Sequence, residues 1–246
     1  MKLNMVMVAG NSKAKFSEGR LSRMIVLMVI SLLPISLFSQ AINDFQFWQK
    51  ADVELNLSKI YDIGIGVESR LTNNASDLSY YYLDFSNIFQ VTKKIRFALD
   101  FLYVNKDEVD YISHRYQYNA AITYKEKMHH FVFYDRLLNE GQYVDPGKDG
   151  NETKMTDQYL RDKLTARYKV KKWVYPYLED EIYYLLVAQS KHRPAGFNRN
   201  RFYAGTQFLL NSTNKIDLFY MNERNFNAKN PTINNVCGIG YSHSFF

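Results

Sequence analysis

A period of two runs through this chain from Phe45 to its end. In the first stretch Ala51, Val53, Leu55 and Leu57 fall on one face and Lys50, Asp52, Glu54 and Asn56 on the other. The same alternation recurs in Ser79–Thr92, Ile95–Asn105, Ser113–Tyr124, Tyr159–Val170, Val174–Leu185 and Arg199–Leu210. Side chains of a strand alternate between the two faces of its sheet, so each segment predicts a strand with one apolar face. With shorter runs at Ile63–Glu68, His130–Glu140, Ile216–Arg224 and Cys237–Phe245, eleven such segments can be marked. Their connections alternate short and long. Tight turns at 58–59, 92–94, 125–128, 171–172 and 211–214 alternate with polar loops at 72–78, 106–110, 141–157, 187–198 and 225–232. Outer-membrane barrels have this asymmetry, with short turns on the periplasmic side and longer loops outside.

The expected fold is all-β, a transmembrane antiparallel up-and-down β-barrel of 10–12 strands over residues 41–246. A single-chain bacterial barrel has an even strand number and both ends on one side. Eleven segments conflict with that parity, and His130–Glu140 and Phe45–Leu57 are the ones open to reassignment. A soluble lipocalin-like barrel is the alternative, but it keeps apolar side chains inside. Here the opposing face carries Arg, Lys, Asp and Glu in segment after segment. A mean hydropathy of −0.36 is compatible with the membrane reading, because each strand averages a lipid-facing and a lumen-facing residue. The 20 Tyr and 17 Phe favour strands and supply interfacial girdles at Tyr103, Tyr124, Tyr168 and Tyr184.

Residues 1–40 read as a signal peptide. Lys13, Lys15, Arg20 and Arg23 precede the apolar run Met24–Phe38, and Ser39–Ala41 is the expected cleavage zone. That run is too short for the roughly 20 residues of a spanning helix. Its removal takes away five basic residues and one acidic one, so the net charge falls from +6 to +2. That leaves no basis for a nucleic-acid partner. The lone Cys237 excludes an internal disulfide and any cysteine metal cluster. The chain ends VCGIGYSHSFF, with Cys237, Ile239, Tyr241 and Phe245 on one face and Phe246 as an overhang. This strand is expected to engage the barrel-assembly machinery, with outer-membrane lipid around the apolar faces.

If the apolar faces meet lipid, Arg115, Arg136, Arg161, Lys163, Arg167, Glu179, Glu181, Arg199 and Arg201 face the lumen. Both signs are abundant, whereas an ion-selective pore favours one sign. The expectation is a narrow lumen filled by cross-barrel ion pairs, with Glu179 and Glu181 serving the basic strands on either side. The role is structural, transport or surface interaction; an outer-membrane lipid hydrolase or acyltransferase is the alternative. Against that enzyme, Ser113-His114 and Ser242-His243-Ser244 place Ser and His on opposite faces, and no metal or cofactor motif emerges. His129-His130 falls at a turn and His192 in a loop. Asp145, Asp149 and Glu152 match no defined calcium loop.

The stretches DFQFWQKADVELNLSK, RYQYNAAITYK, FVFYDRLLNE and NRFYAGTQFLLN resemble the outer-membrane barrel family known as domain of unknown function 2490, found in Gram-negative bacteria. The resemblance spans Phe45 to Phe246. It implies a barrel and carries no catalytic residues to transfer.

Overall fold

The computed structural model describes residues 42–108, 111–144, 154–188, 195–226 and 231–245. The expected signal peptide, residues 145, 149 and 152, His192 and Phe246 lie outside them. Eleven strands follow in chain order: β1 (Ile42–Asn56), β2 (Tyr61–Thr72), β3 (Asp77–Gln90), β4 (Ile95–Glu108), β5 (Tyr111–Met128) and β6 (Phe131–Val144). Then come β7 (Lys154–Tyr168), β8 (Val174–Ala188), β9 (Gly196–Leu209), β10 (Asn214–Asn225) and β11 (Thr232–Phe245). Each pairs antiparallel with its neighbour in sequence, and the sheet closes into a barrel.

Closure departs from the up-and-down expectation. β1 pairs with β11 in parallel, in unbroken register from Ile42↔Thr232 to Leu55↔Phe245. The count of eleven is therefore real, and the expected even parity fails. With an odd number of strands, the first and last must run the same way. Of the two suspect segments, β6 is an ordinary antiparallel stave, and β1 is a full stave whose pairing with β11 is the parallel one. The blurred alternation of His130–Glu140 arises because Val132 and Tyr134 point inward between outward Phe131, Phe133 and Asp135.

Connections at one end of the barrel, here the turn end, are tight. His129 adopts a left-handed φ of 53° in a two-residue turn between β5 and β6. At the β9–β10 turn the Asn211 side-chain oxygen accepts from the amides of Thr213 at 2.9 Å and Asn214 at 2.7 Å. That self-capping is the local reason for a turn there. At the opposite, loop end, strands reach further than the sequence implied: β6 continues to Val144 and β4 to Glu108. Polar residues extend a ladder readily once it has left the apolar zone. The β2–β3 connection shrinks to residues 73–76, where Asn73, Asn74 and Ala75 all have φ between 52° and 61°. The Asn73 and Asn74 amides donate to the Asp44 carboxylate at 3.3 and 2.9 Å, tying this turn to the start of β1.

Eleven strands with a shear of about 14 residues imply a tilt of about 45° and a backbone radius of roughly 11 Å. Arg and Tyr side chains can fill an interior of that width. Two inward glycines sharpen the fit. The Phe219 ring lies over Gly238 and the Tyr177 ring over Gly205, where any Cβ would collide with the ring. Aromatic cover of a glycine in a neighbouring strand compensates for its missing side chain.

The outer wall is apolar through most of its height, with Val67, Leu83, Phe101, Ile122 and Ile239 exposed. It is interrupted on β6–β9, where Asp135, Asp162, Asp180 and Asn200 alternate with inward residues and so face out. Asn200 Nδ2 donates to Asp180 at 2.8 Å. No helix among the described residues is long and apolar enough to cross a membrane.

Candidate functional site

Because every strand delivers alternate side chains inward, the lumen is where chemistry-bearing residues converge. In its loop-end half they form a packed layer. Glu181 of β8 is the hub: Arg161 of β7 donates to it at 2.6 Å, Arg136 of β6 at 3.3 Å, and the Tyr183 hydroxyl at 3.2 Å. Arg161 also donates to Glu140 at 2.6 Å. Arg201 of β9 donates to Glu223 at 2.6 Å and to the Tyr183 hydroxyl at 2.5 Å, and stands 3.8 Å from Glu181. Arg70 of β2 pairs with Glu68 at 2.5 Å and stacks over Trp48 at 3.8 Å and Tyr80 at 4.4 Å. Apolar side chains complete the layer: Trp48, Tyr203, Met221 and Val236 form one buried cluster and Tyr159, Tyr183 and Leu185 another. A buried charge persists only when paired and hydrogen-bonded, and these carboxylates meet that condition several times over.

Towards the turn end the packing loosens into a chamber; the interior cavity, whose lining includes residues of the packed layer such as Arg70, Glu181 and Arg201, has a volume of about 780 Å³. Side-chain exposure records the change: 1 % for Glu181 and 7 % for Arg201, against 33 % for Arg136 and Asp52 and 43 % for Arg96. Lys93 and Lys94 of the β3–β4 turn line its mouth. The space over Gly66 is taken by the Asp52 carboxylate, which any Cβ there would meet.

Of the charges assigned to the lumen from sequence, Arg136, Arg161, Lys163, Arg167, Glu179, Glu181, Arg199 and Arg201 line this continuous interior. Arg115 sits nearer the loop end, paired in register with Val144, and donates to Ser113. The two glutamates do bridge their basic neighbours: Lys163 pairs with Glu179, and Glu181 with Arg161 and Arg201. Sequence reasoning missed that Glu140, Glu223 and Arg136 join the same network, because they come from strands outside that local triplet. It assigned only charges to the lumen and so gave no role to the aromatic side chains on the same face. Trp48, Tyr80, Tyr82 and Tyr183 alternate inward, and the inward parity of their strands was the available signal. The Ser-His neighbours stay apart as their parity requires. Ser113 is buried inside while His114 stacks on Tyr103 outside. Ser242 lines the lumen while His243 bonds Asn214 and packs edge-on against Phe245. Among the described residues no cluster of His, Cys, Asp and Glu has the geometry of a metal site.

No curated protein sequence matches this chain. A family of proteins of unknown function, DUF2490, matches residues 45–234, which takes in most of β1, all of β2 to β10 and the start of β11. The chain belongs to that family, protein of unknown function DUF2490.

Proposed function

We propose that this protein is an integral outer-membrane β-barrel of a Gram-negative bacterium, exported by the segment 1–40, whose lumen is sealed by side chains. Its role is then structural or recognitive and not open diffusion. The observation that carries this reading is the inversion of the barrel: exposed apolar side chains outside on strand after strand, and a paired ionic network inside. Lipid offers no partner to an open sheet edge, so a sheet in a bilayer has to close, as this one does. Strands of 12–18 residues exceed the 9–11 that span the hydrocarbon core. The turn end faces the periplasm, as short connections do in such barrels. Phe245, exposed on the outer face at the end of β11, is offered there to the assembly machinery. Membrane fractionation with heat-modifiable gel mobility, followed by planar-bilayer recording, tests both halves. The expected result is an outer-membrane band that shifts on boiling and gives no stable conductance steps. A soluble, unshifted protein overturns the membrane assignment, and regular single-channel steps overturn the seal.

A further inference from the structure

The chamber below the seal is electrically divided. On one wall stand Asp52, Asp84 and Asp100, from β1, β3 and β4. Asp52 and Asp84 are both register partners of Gly66, so no side chain separates them. On the other wall stand Arg136, Lys163 and Arg167, from β6 and β7, with Arg136 and Lys163 directly opposite each other in register. Like charges opposed in a sheet are destabilising unless something compensates them. Glu181 and Glu179 answer Arg136 and Lys163, and Lys50 answers Asp52 at 3.2 Å; among the described residues Asp84, Asp100 and Arg167 are left without an ion pair. Arg167 instead donates to Gln207 at 2.9 Å and lies over the Tyr134 and Tyr177 rings at 5.3 and 6.0 Å. Asp84 receives a single long bond from Ser86 at 3.5 Å. The Nε atoms of Arg136 and Arg167 are buried without an acceptor, and both residues line the chamber. Orphaned buried polar atoms are rare in native proteins, and a third, Asp217 Oδ1, lies in the same lining.

We infer that this chamber is a binding site for a small zwitterion, its anionic group held by Arg136 and Arg167 and its cationic group by Asp84 and Asp100. A simple anion would satisfy one wall and be repelled by the other, and a simple cation the reverse. A backbone diameter of roughly 22 Å, less the reach of an Asp and an Arg, leaves a gap of roughly 10 Å between the walls. A molecule with charges several ångströms apart, such as a dipeptide, bridges that gap through hydrogen bonds at both ends. The volume of the interior cavity lies within the range of small-molecule sites, roughly 300–1,000 Å³. The inference rests on the membrane reading only for the side of entry, which is the turn end.

Calorimetric titration of the purified barrel with alanyl-alanine, its N-acetyl form and its C-amide form is the test. The expected result is binding of the free dipeptide and a loss of about tenfold or more with either cap, as for one charge-assisted bond. Arg167→Gln is expected to weaken the free dipeptide by a similar factor while leaving the residual affinity of the C-amide unchanged. Asp84→Asn is expected to act likewise for the N-acetyl form. Equal affinity for free and capped forms, or no heat at about 10 mM ligand, overturns the inference. Titrating the three ligands into the unaltered protein separates these outcomes even where a variant fails to fold. A barrel that proves soluble sinks the membrane reading alone, since the same titration in buffer still decides the ligand.

Discussion

Replacing Glu181 with Ala tests whether the lumen network holds the barrel shut. The side chain is 1 % exposed and faces three arginines, at 2.6 Å for Arg161, 3.3 Å for Arg136 and 3.8 Å for Arg201. Removing it leaves those guanidiniums desolvated around a cavity, with Glu140 and Glu223 as the nearest remaining counter-charges. Breaking a buried ion pair by deleting one partner costs about 3–5 kcal/mol. With a urea slope of about 3 kcal/mol per M, the upper end for small proteins, the unfolding midpoint should fall by about 1–1.7 M. Urea titration in lipid vesicles, read by the heat-modifiable gel shift, measures it. Glu126→Gln is the matched control. Its partner Lys94 lies 2.6 Å away, but both groups are on the surface, where such pairs contribute little. The double variant Glu181→Leu with Arg161→Met should recover much of the loss, since an apolar pair of similar volume often replaces a buried ionic one without cost. If Glu181→Ala shifts the midpoint no further than Glu126→Gln, the network is hydrated and the reasoning fails.

Other consequences of the fold can be checked as directly. In a Cys237→Ser background, Ala51→Cys with Tyr241→Cys should cross-link on oxidation, because the two are register partners across the parallel seam; an even-stranded closure gives no cross-link. Gly238→Val should destabilise by about 1–3 kcal/mol through displacement of the Phe219 ring, and adding Phe219→Ala should return part of it; an unchanged midpoint for the single variant counts against the ring contact. Asp162→Leu should raise stability in vesicles by about 1 kcal/mol, since Asp162 stands among Leu160 and Leu164 on the outer wall; a loss of stability would mean that the wall meets something other than lipid there.

The staves were legible because alternation is local: Lys50 and Ala51 declare opposite faces without reference to any other strand. The Glu179 and Glu181 pairings were legible for the same reason, one strand removed. Closure was legible only through the count: eleven segments already imply a parallel last pair, and it was the expectation of an even number that argued against it. The depth of the seal was hidden. Whether Arg161 reaches both Glu140 and Glu181 depends on barrel radius and stagger, which emerge only when all strands are in place. Register shifts near Arg70, Gly141, Gln158 and Tyr183 all fall towards the loop end, where the layer packs. Such bulges re-aim side chains. Asp135, Asp162 and Asp180 broke the expected apolar face and blurred the pattern just where the wall is polar.

The odd strand number also decides how this barrel comes apart. The β1–β11 seam joins residues at the two extremes of the chain, so its loop-closure entropy is recovered last during folding. Parallel ladders are also slightly less stable per residue than antiparallel ones. Under mechanical or chemical load the wall should therefore unzip along that one line. When it does, β1 leaves with β2 and β3, because Asp44 is fastened to the amides of Asn73 and Asn74. The barrel then opens as a single eleven-stranded sheet with β1 and β11 as its two edges, and of these β1 is the one fastened at the loop end.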